Sequence, residues 1–169
     1  IGLDISQDMI NLAMQRKKEH KLNQLQLIKA NLTQIPFKDK SIDIGLAIFS
    51  LMYFKNIKEV MQEISRVMKE DGKIYIATNI ITINDPSLAK QLEGESIPID
   101  LGFGDQKIHL ENLLQPIEQY KNAFQKTGFI LQEEIHFKPD GVSIAPNYKY
   151  KNNTTIEKVV FILQQKNYI

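Results

Sequence analysis

The chain has 169 residues, of which 43% are hydrophobic and 24% charged, and it contains no cysteine. This length allows one domain with a sizeable core. The net charge of +1 excludes a strong field that would attract nucleic acid or acidic lipid. The lack of cysteine excludes disulfides and thiolate metal sites and favours a cytosolic setting. No apolar run approaches the roughly 18 residues of a membrane span, so we expect a soluble, cytoplasmic protein without a membrane partner.

The first elements are a short strand and a helix. The strand at residues 1–5 carries an acid, Asp4, near its end. Ser6 then offers an oxygen that can cap the helix after it. That helix is predicted to bury three residues at i, i+3 and i+4 spacing, Ile10, Ala13 and Met14.

Two further strands come next, separated by a segment that Pro36 interrupts. Residues 25–28 alternate like a strand. Residues 43–49 are almost continuously apolar, which is typical of a parallel strand covered on both faces. We therefore expect both faces of the strand at 43–49 to be covered.

Residues 56–69 carry the clearest helical pattern. Their apolar residues share one face: Ile57, Val60, Met61, Ile64, Val67 and Met68. Gly72 follows where a left-handed C-cap is expected. Residues 73–78 then form the next predicted strand.

The second half begins with a segment that has no sustained period. Residues from 79 to about 110 are predicted to be a long lid-like insertion, with one short helix near 87–92. A helix over 116–128 follows, and then two strands at 129–137 and 157–165. The loop between these strands is too polar for a crossover helix, which indicates an antiparallel end to the sheet.

Strands that alternate with helices predict an α/β fold with helices on both faces of a mostly parallel sheet. We find no domain boundary, so residues 1–169 are interpreted as a single domain. In such sheets, ligands bind outside the carboxyl ends of the strands.

Four short motifs occur in a specific order. Gly2, Asp4, Ser6 and Met9 form a Gly-x-Asp-x-Ser-x-x-Met pattern, and Asn31 precedes an Ile-Pro-Phe turn at 35–37. An Ile-Asp pair opens the strand at 42–43, and residues 63–72 read Glu-Ile-Ser-Arg-Val-Met-Lys-Glu-Asp-Gly. This ordered set resembles the second half of the cofactor domain of class I S-adenosylmethionine-dependent methyltransferases. The resemblance implies a Rossmann-like, doubly wound sheet with an antiparallel final strand.

The resemblance also implies a set of cofactor contacts. Asp4 would bind the ribose hydroxyls, and Asn31 would accept a hydrogen bond from the adenine amino group. Ile5 and Met9 would pack on one face of the adenine, and the Leu32 backbone N–H would donate to a ring nitrogen. Phe49 and Ser50 would approach the methionine part of the cofactor. Taken alone, Asp4 has a second interpretation, because an acid at this position also favours the helix N-terminus that it precedes.

No residue is assigned as the general base. Tyr53 and His109 are the candidates for contact with the methyl acceptor. The three histidines have no metal-ligand spacing, so we expect no metal site. The aromatic and lysine residues at 147–152 could stack on RNA, but a solvated loop fits the low net charge better.

The family's first strand and glycine-rich loop have no counterpart here, because Ile1-Gly-Leu-Asp4 matches the family's second strand. We therefore expect a truncated methyltransferase domain. The predicted reaction is methyl transfer to a small-molecule acceptor by in-line displacement. Two alternatives remain: a catalytically inactive methyltransferase fold used for binding or scaffolding, and a nicotinamide-dependent oxidoreductase, since an acid after the second strand also binds NAD ribose.

Overall fold

The computed structural model describes residues 1–83, 87, 90, 96–103, 106–113, 115–137 and 154–166. The strands are β1 (Gly2–Asp4), β2 (Leu27–Lys29), β3 (Ile42–Ile48), β4 (Met68–Ile83), β5 (Ser96–Phe103), β6 (Gln106–Leu113), β7 (Phe129–Phe137) and β8 (Thr154–Gln165). The helices are α1 (Gln7–Glu19), α2 (Ile57–Val67) and α3 (Ile117–Lys126), with a 3₁₀ turn at Leu51–Tyr53. None of these described helices is long and apolar enough to cross a membrane.

The described strands form three sheets. β1 and β2 are a parallel pair, β5 and β6 are an antiparallel hairpin, and the largest sheet has the order β3-β4-β8-β7. In that sheet β3 and β4 are parallel, whereas β8 runs antiparallel to both of its neighbours. The predicted α/β class and the antiparallel final strand are therefore confirmed.

The core lies between the four-stranded sheet and the helices α2 and α3. All six apolar residues that were predicted for one face of α2 and its end are buried. Three aromatic rings, Tyr120 and Phe124 of α3 and Phe161 of β8, pack with centroids 5.1–6.3 Å apart. This packing holds β3 and β4, and with them the strand ends that could carry a site.

The opposite side of β3 is not covered by the residues that the structure describes. Ile44, Leu46 and Ile48 are 68%, 71% and 63% exposed, although Ala47 between them is buried. The expectation that this strand is covered on both faces is therefore wrong for the described part of the chain. A continuous apolar run is typical of a strand that is covered on both sides, but it does not show which residues cover it.

Helix α1 is also less buried than its pattern predicts. Ile10 is buried and Ala13 is partly buried, but Met14 is half exposed. The predicted burial of Met14 is therefore wrong.

The first residues of β4 differ from the predicted glycine cap. Met68 already has extended backbone, and Asp71, not Gly72, adopts the left-handed conformation with φ 60°. Gly72 is needed for space instead, because a Cβ there would lie 2.9 Å from the carbonyl oxygen of Lys69 and 3.2 Å from that of Asp43.

The segment at 79–110 is more regular than predicted. β4 continues to Ile83 because its last residues pair with β8, and β5 and β6 form a hairpin. No strand was predicted in these stretches, and the lid-like role of the segment stays a prediction. The predicted helix at 87–92 lies outside the described residues except for Ser87 and Lys90, which are helical, and the loop at 147–152 lies outside them entirely.

Candidate functional site

Asp4 and Asn31 lie at the carboxyl ends of two neighbouring parallel strands. Asp4 is opposite Lys29 in the β1–β2 register, and the Ala30 N–H donates to the Asp4 carbonyl oxygen at 2.9 Å. Asn31 is the next residue after Ala30. The structure therefore brings these two predicted residues to the same edge of one sheet.

The Asp4 carboxylate already has one partner in its own turn. Its Oδ1 accepts from the Ser6 backbone N–H at 2.8 Å, and Ser6 Oγ accepts from the Met9 N–H at 3.3 Å. Asp4 thus supports the start of α1, as its second interpretation expects. A carboxylate has about four acceptor positions, so the same side chain can still receive further donors.

Apolar surface lies beside this carboxylate. Ile5, the next residue, is 64% exposed, and Met9 in the first turn of α1 is 51% exposed. Large apolar side chains that stay exposed next to a polar strand end are typical of a ligand surface.

Asn31 begins a tight turn between β2 and β3. Its Oδ1 accepts from the Thr33 N–H at 3.1 Å, and its carbonyl oxygen accepts from the Gln34 N–H at 3.0 Å. The side chain is exposed and Leu32 is half buried against the core. An open cleft of about 620 Å³ lies here, lined by Lys29, Ala30, Asn31, Gln34, Ile35, Pro36, Glu63 and Arg66.

Two charged side chains of α2 form one wall of this cleft. Arg66 Nη2 lies 2.7 Å from Glu63 Oε1, and Arg66 Nη1 lies 2.6 Å from Asp39 Oδ1. The hydrogen bond from Arg66 holds the pKa of Glu63 below its ordinary value, although burial opposes the shift. The hydrogen bond from Arg66 to Glu63, and secondly the one to Asp39, raise the pKa of Arg66 above its ordinary value.

Phe49 and Ser50 directly follow β3, which belongs to a different sheet from the β1 strand that carries Asp4. Phe49 has a positive φ of 50°, and its N–H donates to the Ala77 carbonyl oxygen at 2.7 Å. A bulky residue in this conformation is strained, and such strain clusters at functional sites. Phe49 is exposed and Ser50 half buried, so both can contact a ligand.

The two predicted acceptor-side residues lie on separate elements. Tyr53 is half exposed at the end of the 3₁₀ turn that follows Ser50. His109 lies on β6, opposite Asp100 in the hairpin register. No strand pairing in the described part of the chain joins the hairpin to the other sheets.

Two polar residues near the 3₁₀ turn, the partly buried Asn79 and the buried Gln115, have no counterpart among the predicted site residues. Within the described chain, Asn79 Oδ1 and Gln115 Oε1 are buried without a hydrogen-bond partner, as is Gln165 Oε1 elsewhere. Asn79 Nδ2 lies 4.0 Å from Met52 Sδ, and Gln115 Nε2 donates to the Phe54 carbonyl oxygen at 3.5 Å. Only tertiary packing identifies them, because a single polar residue has no periodic signal in the sequence.

The first part of the chain is similar to known methyltransferases. Residues 1–76 match the family described as a methyltransferase domain. The chain is 36% identical over 74 residues to a demethylmenaquinone methyltransferase of Oceanobacillus iheyensis, a match that covers 44% of this chain and 31% of that protein. The chain spans about a sixth to a half of the first three curated relatives that it matches.

Two solved structures share the fold over nearly the whole chain. A geranyl diphosphate C-methyltransferase from Streptomyces coelicolor A3(2), in complex with Mg²⁺, geranyl diphosphate and S-adenosyl-L-homocysteine, has a TM-score of 0.69 at 12% identity. The match covers 97% of this chain and 61% of that one. The cyclase SpnF has a TM-score of 0.70 at 14% identity, covering 99% and 66%. At these identities the likeness shows the fold alone.

Proposed function

We propose that this chain, whose residues 1–76 belong to the methyltransferase-domain family and whose fold is that of class I methyltransferases, is part of an S-adenosylmethionine-dependent methyltransferase. The observation that carries the proposal is the placement of Asp4 and Asn31 at one edge of a parallel sheet. Both side chains offer acceptor oxygens where ligands of such sheets bind.

The residues present fit an adenosine-containing cofactor. Ribose hydroxyls and an adenine amino group are donors, which the Asp4 carboxylate and the Asn31 amide oxygen can accept. Ile5 and Met9 supply exposed apolar surface for a flat ring, and the Leu32 N–H would donate to a ring nitrogen. Phe49 and Ser50, after β3, would contact the methionine part.

The bound cofactor would supply a methyl group on a positively charged sulfur, which leaves as a neutral thioether. The chain therefore has little acid catalysis to provide. Its residues would contribute by aligning the acceptor with the methyl carbon, an effect worth roughly 7–11 kcal/mol. A base is needed only if the acceptor must lose a proton in the transition state. Tyr53 and His109 remain the proposed acceptor-side contacts.

We further propose a small-molecule acceptor. The net charge of +1 provides no field for nucleic acid. The relative from Oceanobacillus and the Streptomyces enzyme are both methyltransferases named for small molecules. Among the residues that the structure describes, the buried oxygens of Asn79 and Gln115 have no hydrogen-bond partner, and a polar substrate could donate to them.

Calorimetric titration of S-adenosylhomocysteine into the protein at its natural length tests the proposal. The parent should bind in the micromolar range, and Asp4→Ala should weaken binding by about 1.5–3 kcal/mol, since it removes hydrogen bonds to a charged group. Asp8→Ala is the matched control, because Asp8 is also an acid at the start of α1 but does not end a strand. Equal losses in both variants would mean that Asp4 acts only on the helix.

A catalytically inactive binding or scaffolding protein is the alternative to this proposal. The cyclase SpnF has this fold and is not named as a methyltransferase. Fold likeness therefore does not establish methyl transfer. A folded protein that gives no heat with S-adenosylhomocysteine would favour this alternative.

A further inference from the structure

The turn that carries Asn31 is held in place by two side chains of α2. The Ile35 N–H donates to Glu63 Oε1 at 2.8 Å. Arg66 donates to two carbonyl oxygens of the same turn, from Nη2 to Ile35 at 2.9 Å and from Nη1 to Phe37 at 2.9 Å. Residues 30–41 contain no helix and only an isolated bridge between Asn31 and Gln34, so these side-chain bonds add to a few backbone bonds in defining the path of the chain.

Glu63 and Arg66, which we call the clasp, are rigidly joined to each other. Arg66 Nε donates to Glu63 Oε2 at 2.8 Å while Nη2 donates to Oε1 at 2.7 Å. Such a two-point contact fixes the planes of both groups, and a lysine ammonium cannot reproduce it. The buried side chain of Ile35 anchors the same turn in the core.

The turn also determines which amide atom of Asn31 is available. Because Asn31 Oδ1 accepts from the Thr33 N–H at 3.1 Å, rotation of the amide by 180° would break that bond. The Gln34 N–H bond to the Asn31 carbonyl oxygen, at 3.0 Å, links this arrangement to Ile35, the next residue. A turn held at Ile35 therefore presents the oxygen of Asn31, whereas a loosened turn allows the amide to rotate.

We propose that the clasp positions Asn31 so that its amide oxygen selects a nucleotide base with an exocyclic amino group over one with a carbonyl group at that position. Glu63 and Arg66 are positioning residues and do not touch the base themselves. Both lie with Asn31 on the 620 Å³ cleft. This inference rests on the proposed function, because it needs an adenosine ligand at Asn31.

The test compares S-adenosylhomocysteine with S-inosylhomocysteine, in which a carbonyl oxygen replaces the amino group. In the natural-length protein, calorimetry should show about tenfold tighter binding of the adenosine compound, since one hydrogen bond is lost. In Arg66→Lys the preference should fall to within about twofold, because the amide can then rotate. Glu63→Gln, which keeps an acceptor for the Ile35 N–H, should retain an intermediate preference.

Asp43→Asn is the matched control, because it breaks another ion pair of the same region, the 2.7 Å contact with Lys69, without touching the turn. It should keep the full tenfold preference. A variant that is merely destabilised lowers the binding of both compounds equally and leaves the ratio unchanged, so an unchanged ratio in Arg66→Lys overturns the inference.

Two outcomes separate this inference from the proposed function. If the parent binds neither compound, the proposed function fails and the inference fails with it. If Arg66→Lys does not fold, hydrogen exchange of the Ile35 amide in Glu63→Ala, which removes the acceptor of that N–H, decides the question. Exchange as slow as in the parent would contradict a role for the clasp, and faster exchange with a reduced preference would support it.

Discussion

Gly72 shows how a single residue is required for space and not for backbone conformation. A Cβ at Gly72 would meet backbone oxygen at 2.9 Å, and backbone cannot move aside as a flexible side chain can. Gly72→Ala should therefore destabilise the protein by about 1–3 kcal/mol, the range for inserting atoms into packed structure. Urea unfolding monitored by circular dichroism measures this loss.

Gly45→Ala is the control for that prediction. A Cβ at Gly45 would meet only side-chain carbons of Ile74, the nearest at 3.2 Å, which can shift by a few tenths of an ångström. It should cost less than about 1 kcal/mol. Equal costs at both positions would contradict the explanation.

Residue identities placed the candidate site residues near strand ends, but they did not predict the backbone conformations found in the structure. Asp4 and Asn31 were found from their places after two predicted strands, because parallel strands bring their carboxyl ends to one edge. The strained backbone of Phe49 and the left-handed Asp71 had no sequence signal, since neither residue type requires a positive φ. Their conformations depend on tertiary contacts.

At the scale of elements, the clasp predicts a pH dependence for the attachment of the Asn31 turn to α2. The pKa of Glu63 is lowered in the folded state, chiefly by the hydrogen bond from Arg66. The stabilisation is therefore complete above the unfolded pKa of about 4.3 and is lost as pH falls through the lower folded value. Melting temperatures between pH 3 and 7 should show a parent advantage over Glu63→Gln that shrinks in acid.

Glu59→Gln provides the comparison on the same helix. Glu59 is exposed, and its Oε2 lies 3.4 Å from Asn56 Nδ2, a weak contact with a neutral group. Its melting curve should follow that of the parent at every pH. A constant difference between Glu63→Gln and the parent down to pH 3 would show that the charge of Glu63 does not hold the turn.

The elements with strong periodic patterns were predicted well. α2 was found because its apolar residues repeat at helical spacing, and β7 was predicted with its bounds, Phe129–Phe137, because two turn regions flank it. The extension of β4 to Ile83 and the β5–β6 hairpin were missed, because their pairing partners are distant or lie among glycines and prolines. Strand pairing is a property of two segments, and one segment's pattern does not contain it.

At the scale of the whole molecule, the four-stranded sheet has one side covered by α2 and α3 and one side with exposed apolar residues on β3. Exposed apolar side chains at alternate positions of a strand form a contiguous patch, which monomeric proteins rarely leave open. We expect this patch to bind hydrophobic dyes in the 169-residue chain. The patch also allows a direct test of the packing, because one isoleucine lies on this exposed side of the sheet and another lies on the covered side.

Ile44 and Ile74 form the matched pair, since Ile74 lies opposite Gly45, the neighbour of Ile44, in the β3–β4 register. Ile44 is 68% exposed and Ile74 is 3% exposed. In the 169-residue chain, Ile44→Thr should change the free energy of unfolding by less than about 0.5 kcal/mol. Ile74→Thr should cost about 2–4 kcal/mol, because it removes buried apolar volume and adds a buried hydroxyl. Urea unfolding measures both free energies, and similar losses in the two variants would mean that the exposed face of β3 is packed after all. Dye binding is tested in the double variant Ile44→Thr, Leu46→Thr, and binding that persists there would place the open apolar surface elsewhere.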